Sequence, residues 1–468
     1  MRSNFIVSVT ALAVATGWAL PAQAQATDSA AIQRELAAMR AQMSQMAARI
    51  DSLEAQLGTA QAEAQAANQA AAQANTALAA AAKAPPAAAK PPVEVAWKGA
   101  PEFKGEGGWS FKPRGRLQID AAGVDAPSGI AARQKLGFGS EFRRAYIGFD
   151  GTMPGGIGYR VEADLANSGV DLTDLYLTYK ASPEITLTVG QHKPFWSMEE
   201  MTSDLFTSFM ERAAFHSAFG YERRVGASAS YAGKQFLVQG GVFTDNARDL
   251  NADTNNSYSI DGRVVFMPKL GEGQLHVGGS AHYRAYNDLA NVGTYSARPF
   301  VHTTDLRLVN TGNVIPVSAE RSYGAELAYV HGPFHATAES QWLKAKRPGL
   351  ADPTFNGGYA EVGYLLTGET TAYKAGAYDR IKPTSPLGKG GLGAVQLNAR
   401  YDWLDLSDAG VVGGRQQIAG VSLLWMPTDY VRFIVNYGHI WLKDAAVAAG
   451  TDQDYKADAV GMRAQFDF

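Results

Sequence analysis

From Trp109 to Phe468, apolar and polar residues alternate with period two in segment after segment, which limits the fold more than any other feature of the chain. In the last segment Val460, Met462, Ala464, Phe466 and Phe468 share one face, and Ala459, Gly461, Arg463, Gln465 and Asp467 share the other. Val431, Phe433, Val435 and Tyr437 alternate in the same way with Arg432, Ile434, Asn436 and Gly438, as do Leu117, Ile119 and Ala121 with Arg116, Gln118 and Asp120. Gly, Pro, Asn and Asp bound the segments, and the 49 glycines and 20 tyrosines suit many short strands joined by turns. A soluble sandwich also alternates, but it seldom does so over this length. A membrane barrel turns its apolar face to lipid and its charged face to a lumen. The spacing predicts about 16 strands, beginning near Trp109, Glu141, Gly158, Val170, Glu184, Arg223, Phe236, Ser257, Gly273, Ser322, Pro333, Asn356, Gly393, Arg415, Val431 and Tyr455. Tyr401, Trp403, Trp425, Tyr430, Tyr437 and Trp441 are placed to form interfacial girdles.

The residues before Trp109 follow different rules. Residues 1–24 read as a cleavable signal peptide, with Arg2 ahead of an apolar run and Ala22-Gln23-Ala24 as the cleavage site, so that the mature chain begins at Gln25. An uncleaved anchor is the alternative. No later run reaches the roughly 20 apolar residues of a spanning helix, so membrane insertion must use strands. In residues 25–59 the apolar positions Ile32, Leu36, Met39, Met43, Met46, Ile50, Leu53 and Leu57 alternate steps of four and three, the seam of a coiled coil, with a stop expected at Gly58. A lone amphipathic helix on a core is the alternative, and the mixed seam does not by itself fix the number of strands. Residues 60–108 read as an Ala- and Pro-rich linker: Ala60 to Ala89 carries little bulk, and Pro85, Pro86, Pro91 and Pro92 break any helix. The fold class expected is therefore an all-β membrane protein, a 16-stranded antiparallel transmembrane β-barrel over residues 109–468 preceded by an N-terminal α-helical coiled coil.

Composition excludes several functions. A formal net charge of -3 lacks the basic footprint of a nucleic-acid binder, and the absence of cysteine removes thiol catalysis and cysteine zinc sites. The eight histidines form neither a catalytic constellation nor a metal spacing. No enzyme activity, cofactor or metal is expected. Arginine instead recurs on the face assigned to the lumen, at Arg114, Arg116, Arg144, Arg160, Arg224, Arg263, Arg284, Arg400, Arg432 and Arg463. A permanently charged fork suits phosphate and carboxylate. The same face carries Asp120, Glu162, Asp164, Asp174, Asp261, Asp402 and Asp467, so a generally charged, solvated wall competes with an anion track. Arg143 falls by parity on the lipid face with Ala145 and Ile147, which places it at a strand end.

One stretch breaks the alternation. His192 to Gly220 contains Phe195, Trp196, Met198, Leu205, Phe209, Met210, Phe215 and Phe219 beside Glu199, Glu200, Asp204, Glu211 and Arg212. So long and apolar a loop folds into the barrel to narrow it, or packs on a neighbouring subunit.

Four motifs resemble the phosphate-selective porins O and P: Glu141-Phe142-Arg143-Arg144-Ala145 with Gly148; Val189-Gly190-Gln191-His192-Lys193-Pro194-Phe195; Thr207-Ser208-Phe209-Met210-Glu211-Arg212; and GGYAEVGYLLTGE over residues 357–369. The resemblance covers Trp109 to Phe468. It implies a homotrimer of 16-stranded barrels in outer-membrane lipid, a third loop folded inward, and an arginine ladder to a central anion site, with Arg143, Arg144 and Lys193 as the matching positions. Some family members carry an N-terminal coiled coil, here expected in the periplasm. The closing Phe466-Asp467-Phe468 resembles the signature read by the outer-membrane barrel assembly machinery. Phosphate-binding members place lysines on the inward loop. An ungapped alignment from Lys193-Pro194 to Glu211-Arg212 puts Glu200 and Leu205 there, which predicts weak phosphate binding. The function expected is passive diffusion of small anions, phosphate or polyphosphate by resemblance. The alternative is a differently selective porin whose coiled coil also tethers the membrane to peptidoglycan.

Overall fold

The computed structural model describes residues 29–83, 93–130, 136–166, 169–250, 257–286, 293–314 and 316–468. The expected signal peptide, its cleavage site and the prolines at 85, 86, 91 and 92 lie outside the described residues. The chain divides between Lys90 and Pro91 into two units, described separately.

The first is one helix, α1 (Ser29–Lys83), of 55 residues, about 80 Å long at 1.5 Å per residue. Its seam residues Leu36, Met39, Met43, Met46, Ile50, Leu53 and Leu57 are all exposed. The stop expected at Gly58 is absent, and the helix continues through it. A mid-helix glycine costs about 1 kcal/mol relative to alanine, and the alanines beyond, each at the top of the helix scale, offset it. The spacing of four and three also continues past Leu57, through Ala60, Ala64, Ala67, Ala71, Ala74, Leu78 and Ala81. The segment expected to be a bare tether is therefore helical to Lys83.

The second unit is a closed antiparallel barrel of 16 strands. They are β1 (Ser110–Asp125), β2 (Gly139–Met153), β3 (Ile157–Asp164), β4 (Asp171–Lys180), β5 (Ile185–His192), β6 (Arg224–Ala232), β7 (Phe236–Phe243), β8 (Tyr258–Phe266), β9 (Gly273–Ala285), β10 (Ala319–His331), β11 (Phe334–Lys346), β12 (Thr354–Leu365), β13 (Ala394–Asp408), β14 (Val411–Thr428), β15 (Val431–Lys443) and β16 (Lys456–Asp467). Each pairs with the next, and β16 closes on β1 from Asp458↔Asp125 to Asp467↔Arg116. The expected number of strands is found, and every expected start lies within a few residues of the observed one. A hairpin of Glu94–Trp97 with Pro101–Lys104 sits in the stretch expected to be linker, and its second strand pairs with the start of β1 at Phe103↔Phe111.

Alternation sets which side chains face the lumen. On β16 Val460, Met462 and Phe466 are exposed outward, whereas Arg463, Gln465 and Asp467 are buried inward. Of the aromatics expected in girdles, Tyr401 and Tyr437 are exposed on the outer face. Tyr430 instead lies in the turn after β14, under the Arg380 guanidinium at 5.0 Å.

Three connections fold inward. The loop 193–223 carries α2 (Met198–Met201) and α3 (Ala214–Ala218). Its Phe195, Trp196, Met198, Leu205, Phe209, Met210, Phe215 and Phe219 are buried, as an inward-folded loop requires. From the same end, the loop after β9 brings Phe300 to a ring-centroid distance of 5.8 Å from Phe209. Phe300 holds φ 65°, and its ring lies against the bare faces of Gly420 and Gly438, where a Cβ would meet it at 2.8 Å and 2.6 Å. From the opposite end, where β12 and β16 both finish, the segment 366–393 enters the lumen and places Arg380 between Phe206 and Tyr430.

Phe468 completes the seam between last and first strands: its N–H donates to the Gly115 carbonyl at 3.0 Å and its carbonyl accepts from the Gly115 N–H at 3.2 Å. Deleting Phe468 opens that rung and uncovers Gly115. The fraction of protein recovered as heat-modifiable barrel should fall severalfold, with the conductance of the channels that do assemble little changed. Normal recovery would mean that closure does not depend on this residue.

Candidate functional site

The inward loop is held from two sides, and the sequence explains each attachment. On the β10–β13 wall, carboxylates meet the loop's helix starts: Glu339 accepts from the Met198 and Glu199 N–H groups at 3.0 Å and 2.7 Å, and Asp402 accepts from the Ala214 N–H at 2.8 Å. These N–H groups lack helical partners and carry the positive end of the local dipole. The loop's own carboxylates in turn reach basic residues of the wall on both sides and of the loop itself.

Those pairs include most of the candidate residues. Arg143 grips Glu211 with two bonds, 2.9 Å and 3.1 Å. Arg144 Nε lies 2.6 Å from Asp204, and Arg116 touches both Asp204 and Glu162. Arg463 joins Asp120 and Glu211, and Arg400 joins Glu199 at 2.7 Å. Lys193 lies 3.1 Å from Glu200. Arg212 turns back on its own loop, donating to the Glu199 and Thr202 carbonyls at 3.0 Å and 2.9 Å. Lower on the wall, Arg114 and Arg160 share Asp150. Leu205 is buried, and its carbonyl accepts from Arg432 at 2.7 Å.

The expected placement of Arg143 needs correction. It faces inward beside Arg144 because the β1–β2 ladder slips by one residue between Gln118 and Ile119, opposite Arg143. A bulge of this kind puts two consecutive side chains on one face and breaks the parity of two. Arg224 is the other departure: it lines none of the cavities described next, and its guanidinium lies 3.3 Å from Ser259 Oγ.

These cavities follow one another along the lumen. One of about 750 Å³ lies among the long loops, bordered by Arg248, Arg284, Arg298 and Arg307 together with Glu222, Asp245 and Glu320. It shares His216, Tyr221 and Arg298 with a middle cavity of about 250 Å³ that reaches Arg143, Arg144, Arg212 and Glu211. The middle cavity meets a third, about 680 Å³, at Asp204 and Arg223. The third opens at the end where the chain finishes, past Lys98, Lys112, Arg114, Arg380 and Lys382. The third cavity's lining holds more Lys and Arg than Asp, which gives it a positive potential.

The charges on the loop respond to the individual bases beside them. Burial opposes ionisation of Glu199 and Glu200, yet Arg400 holds Glu199 at about 2 and Arg212 with Lys193 holds Glu200 lower still. Burial lowers the Lys193 ammonium to about 8, with Arg212 and Arg223 adding to the fall against the pull of Glu200.

Sequence reading missed Arg223, Arg298, His302, Arg380 and Lys382. Arg223 adjoins an arginine already on the lumen face and precedes the first paired residue of β6, where parity says nothing. Arg380 and Lys382 belong to the long connection between β12 and β13, whose length alone was a signal.

Residues 111–468 match the family model described as "Phosphate-selective porin O and P". The chain is 46% identical over 385 residues to an uncharacterized protein of Caulobacter vibrioides, a match that covers 80% of this chain and 77% of that one. It is 27% identical over 335 residues to Porin O of Pseudomonas aeruginosa, covering 65% of this chain and 74% of that one. Among solved structures, OmpT of Vibrio cholerae, folded in vitro, superposes with a TM-score of 0.50 at 11% identity, over 77% of this chain and 98% of that one, a likeness of fold. A closed outer-membrane barrel with charged cavities in series is a channel and not an enzyme. By its sequence over the whole barrel, this chain belongs to the phosphate-selective porin O and P family.

Proposed function

We propose that the protein is a trimeric outer-membrane channel for passive diffusion of small anions, with phosphate or polyphosphate as the solutes suggested by its family. The observation that carries this reading is the series of cavities whose narrow part sets Arg143, Arg144, Arg212, Arg223 and Arg298 against Glu200, Asp204, Glu211 and Asp402, and whose mouth at the chain's end, lined by Lys98, Lys112, Arg114, Arg380 and Lys382 among others, holds more bases than acids. Fixed cations concentrate counter-anions in a narrow aqueous path. Phosphate is passed with little retention on this reading, because the loop carboxylates already take up donors on the wall. The exposed seam of α1 supports association of the chains side by side in the periplasm, and the number three comes from the family resemblance. Assembly through the barrel machinery follows from the closing aromatic signature.

Replacing Arg144 and Lys193 together by alanine should lower chloride-over-potassium permeability severalfold in planar bilayers at about 0.1 M salt, and less near 1 M, where screening shortens to about 3 Å. Unchanged selectivity at low salt would show that these charges do not act on the path. Acidity offers an independent check. As pH rises through about 8, Lys193 loses its proton while Glu200 keeps its charge, so positive charge disappears from the third cavity. Anion preference should therefore fall further between pH 6.5 and 9.5 in the native channel than in Lys193→Met, where His216, lowered by burial but raised on balance above its ordinary value by Glu199 and Glu200, still titrates. An equal fall in that variant would assign the titration elsewhere.

A further inference from the structure

The middle and terminal cavities meet at Asp204 and Arg223, and cations crowd this junction. The two Asp204 oxygens are held by different guanidinium groups, Oδ1 by Arg116 and Oδ2 by Arg144 Nε at 2.6 Å. Two oxygens of a tetrahedral oxyanion, held by two arginine forks, would take the same arrangement. Lys193 and Arg212 act on the same carboxylate at longer range and help to hold it ionised far below the ordinary aspartate range, although burial opposes this. Arg223 has only Asp174 as a carboxylate within ion-pair distance among the described residues, at 2.5 Å from its Nε.

Asp204 differs from the other acids of the loop. Glu199 and Glu211 each join a helix or turn of the loop to a wall arginine, and Glu200 pairs with Lys193. The loop near Asp204 has other attachments: Arg432 donates to the Leu205 and Thr207 carbonyls at 2.7 Å and 2.5 Å, and Gln118 donates to the Asp204 carbonyl at 3.3 Å. These attachments use backbone carbonyls and remain when the carboxylate is changed. The carboxylate lies where the two cavities meet, against Arg116 and Arg144.

We infer that Asp204 is a tethered counter-anion seated in an oxyanion site, so that the native channel passes phosphate without holding it, and that neutralising this residue unmasks the site. This rests on the reading of the lumen as an anion path. A group attached beside its site competes at an effective concentration in the millimolar range or above. A free oxyanion must exceed that concentration to displace it. With the carboxylate removed, Arg144 loses its carboxylate partner while Arg116 keeps Glu162 and Arg223 keeps Asp174, so the solute meets one freed guanidinium and two shared ones, with Lys193 and Arg212 close by.

The test uses the full-length protein in planar bilayers at about 0.1 M potassium chloride, with inorganic phosphate titrated against chloride current. Native channels should need millimolar or higher phosphate for half-block. Asp204→Asn should lower the half-blocking concentration at least tenfold, and Asp204→Ser, neutral and smaller, should do the same if the asparagine variant does not assemble. Adding Arg223→Gln to the neutral variant should reverse most of the gain. Block at the native concentration in both neutral variants overturns the inference, as does a gain that survives Arg223→Gln. A native channel that prefers potassium over chloride at this salt overturns the anion-path reading beneath it, whatever Asp204→Asn does.

Discussion

Replacing Arg463 with methionine should loosen the inward loop and destabilise the folded barrel by about 3–5 kcal/mol, the usual cost of removing one partner from a buried ion pair. The Arg463 and Asp120 side chains are both fully shielded from water, joined by two bonds of 2.7 Å. Methionine leaves the Asp120 charge buried on β1 with no counter-ion at that position. It also removes the donor to the Met210 carbonyl at 2.7 Å and the contact with Glu211 at 2.9 Å, so the loop loses two attachments to β16 at once. Two readouts follow: the urea midpoint of the heat-modifiable species, and the rate of protease cleavage between Ser197 and Ala213. Adding Asp120→Asn should recover part of the stability, since the unpaired charge is gone, but not the protection of the loop. An unchanged midpoint with unchanged cleavage would mean that the loop is held by its apolar side chains alone.

The second large effect belongs to α1. Met43 and Ile50 are seven residues apart on the seam and are exposed in the single chain. On the proposed reading, three helices associating along the seam would cover both. Changing both to Asp removes about 1.5–3 kcal/mol of burial at each position in each helix and sets like charges against one another around the axis. The temperature at which trimers dissociate in detergent should drop by tens of degrees, while the barrel itself keeps its heat-modifiable shift. Trimers as stable as the native ones would show that the seam does not join the chains. The alanines that continue the seam from Ala60 to Ala81 bury less area, so Ala67→Asp with Ala74→Asp should have a smaller effect of the same sign.

The barrel was legible because its physical rule is simple: period two with one side in lipid and the other in a lumen. Val460, Met462 and Phe466 announce the outer face, and Arg463 announces the inner one. The inward loop was legible for a related reason, since Phe209 and Phe215 cannot remain in water. What the pattern could not give is register. The slip opposite Arg143 is one residue in a ladder, invisible to a reading that assumes parity, and it decides whether an arginine faces lipid or Glu211. The helix beyond Gly58 was hidden by a rule for helix ends that holds only where the next residues are poor helix formers. Which acid meets which base was also out of reach, because Asp204 and Arg116 lie far apart in sequence and meet only when the loop folds back. The acidic loop read from sequence as a repulsive element against anions. In three dimensions its charges are taken up by the wall, leaving the excess of cations at the mouth near the chain's end.

The zero-current potential of the native full-length channel across a tenfold potassium chloride gradient, with the dilute side at about 0.1 M, tests the central claim most directly. Anion passage predicts the sign of chloride permeation, with chloride several times more permeant than potassium and the ratio falling toward one when the dilute side approaches 1 M. A potential of the opposite sign at low salt, with potassium the more permeant ion, would contradict it.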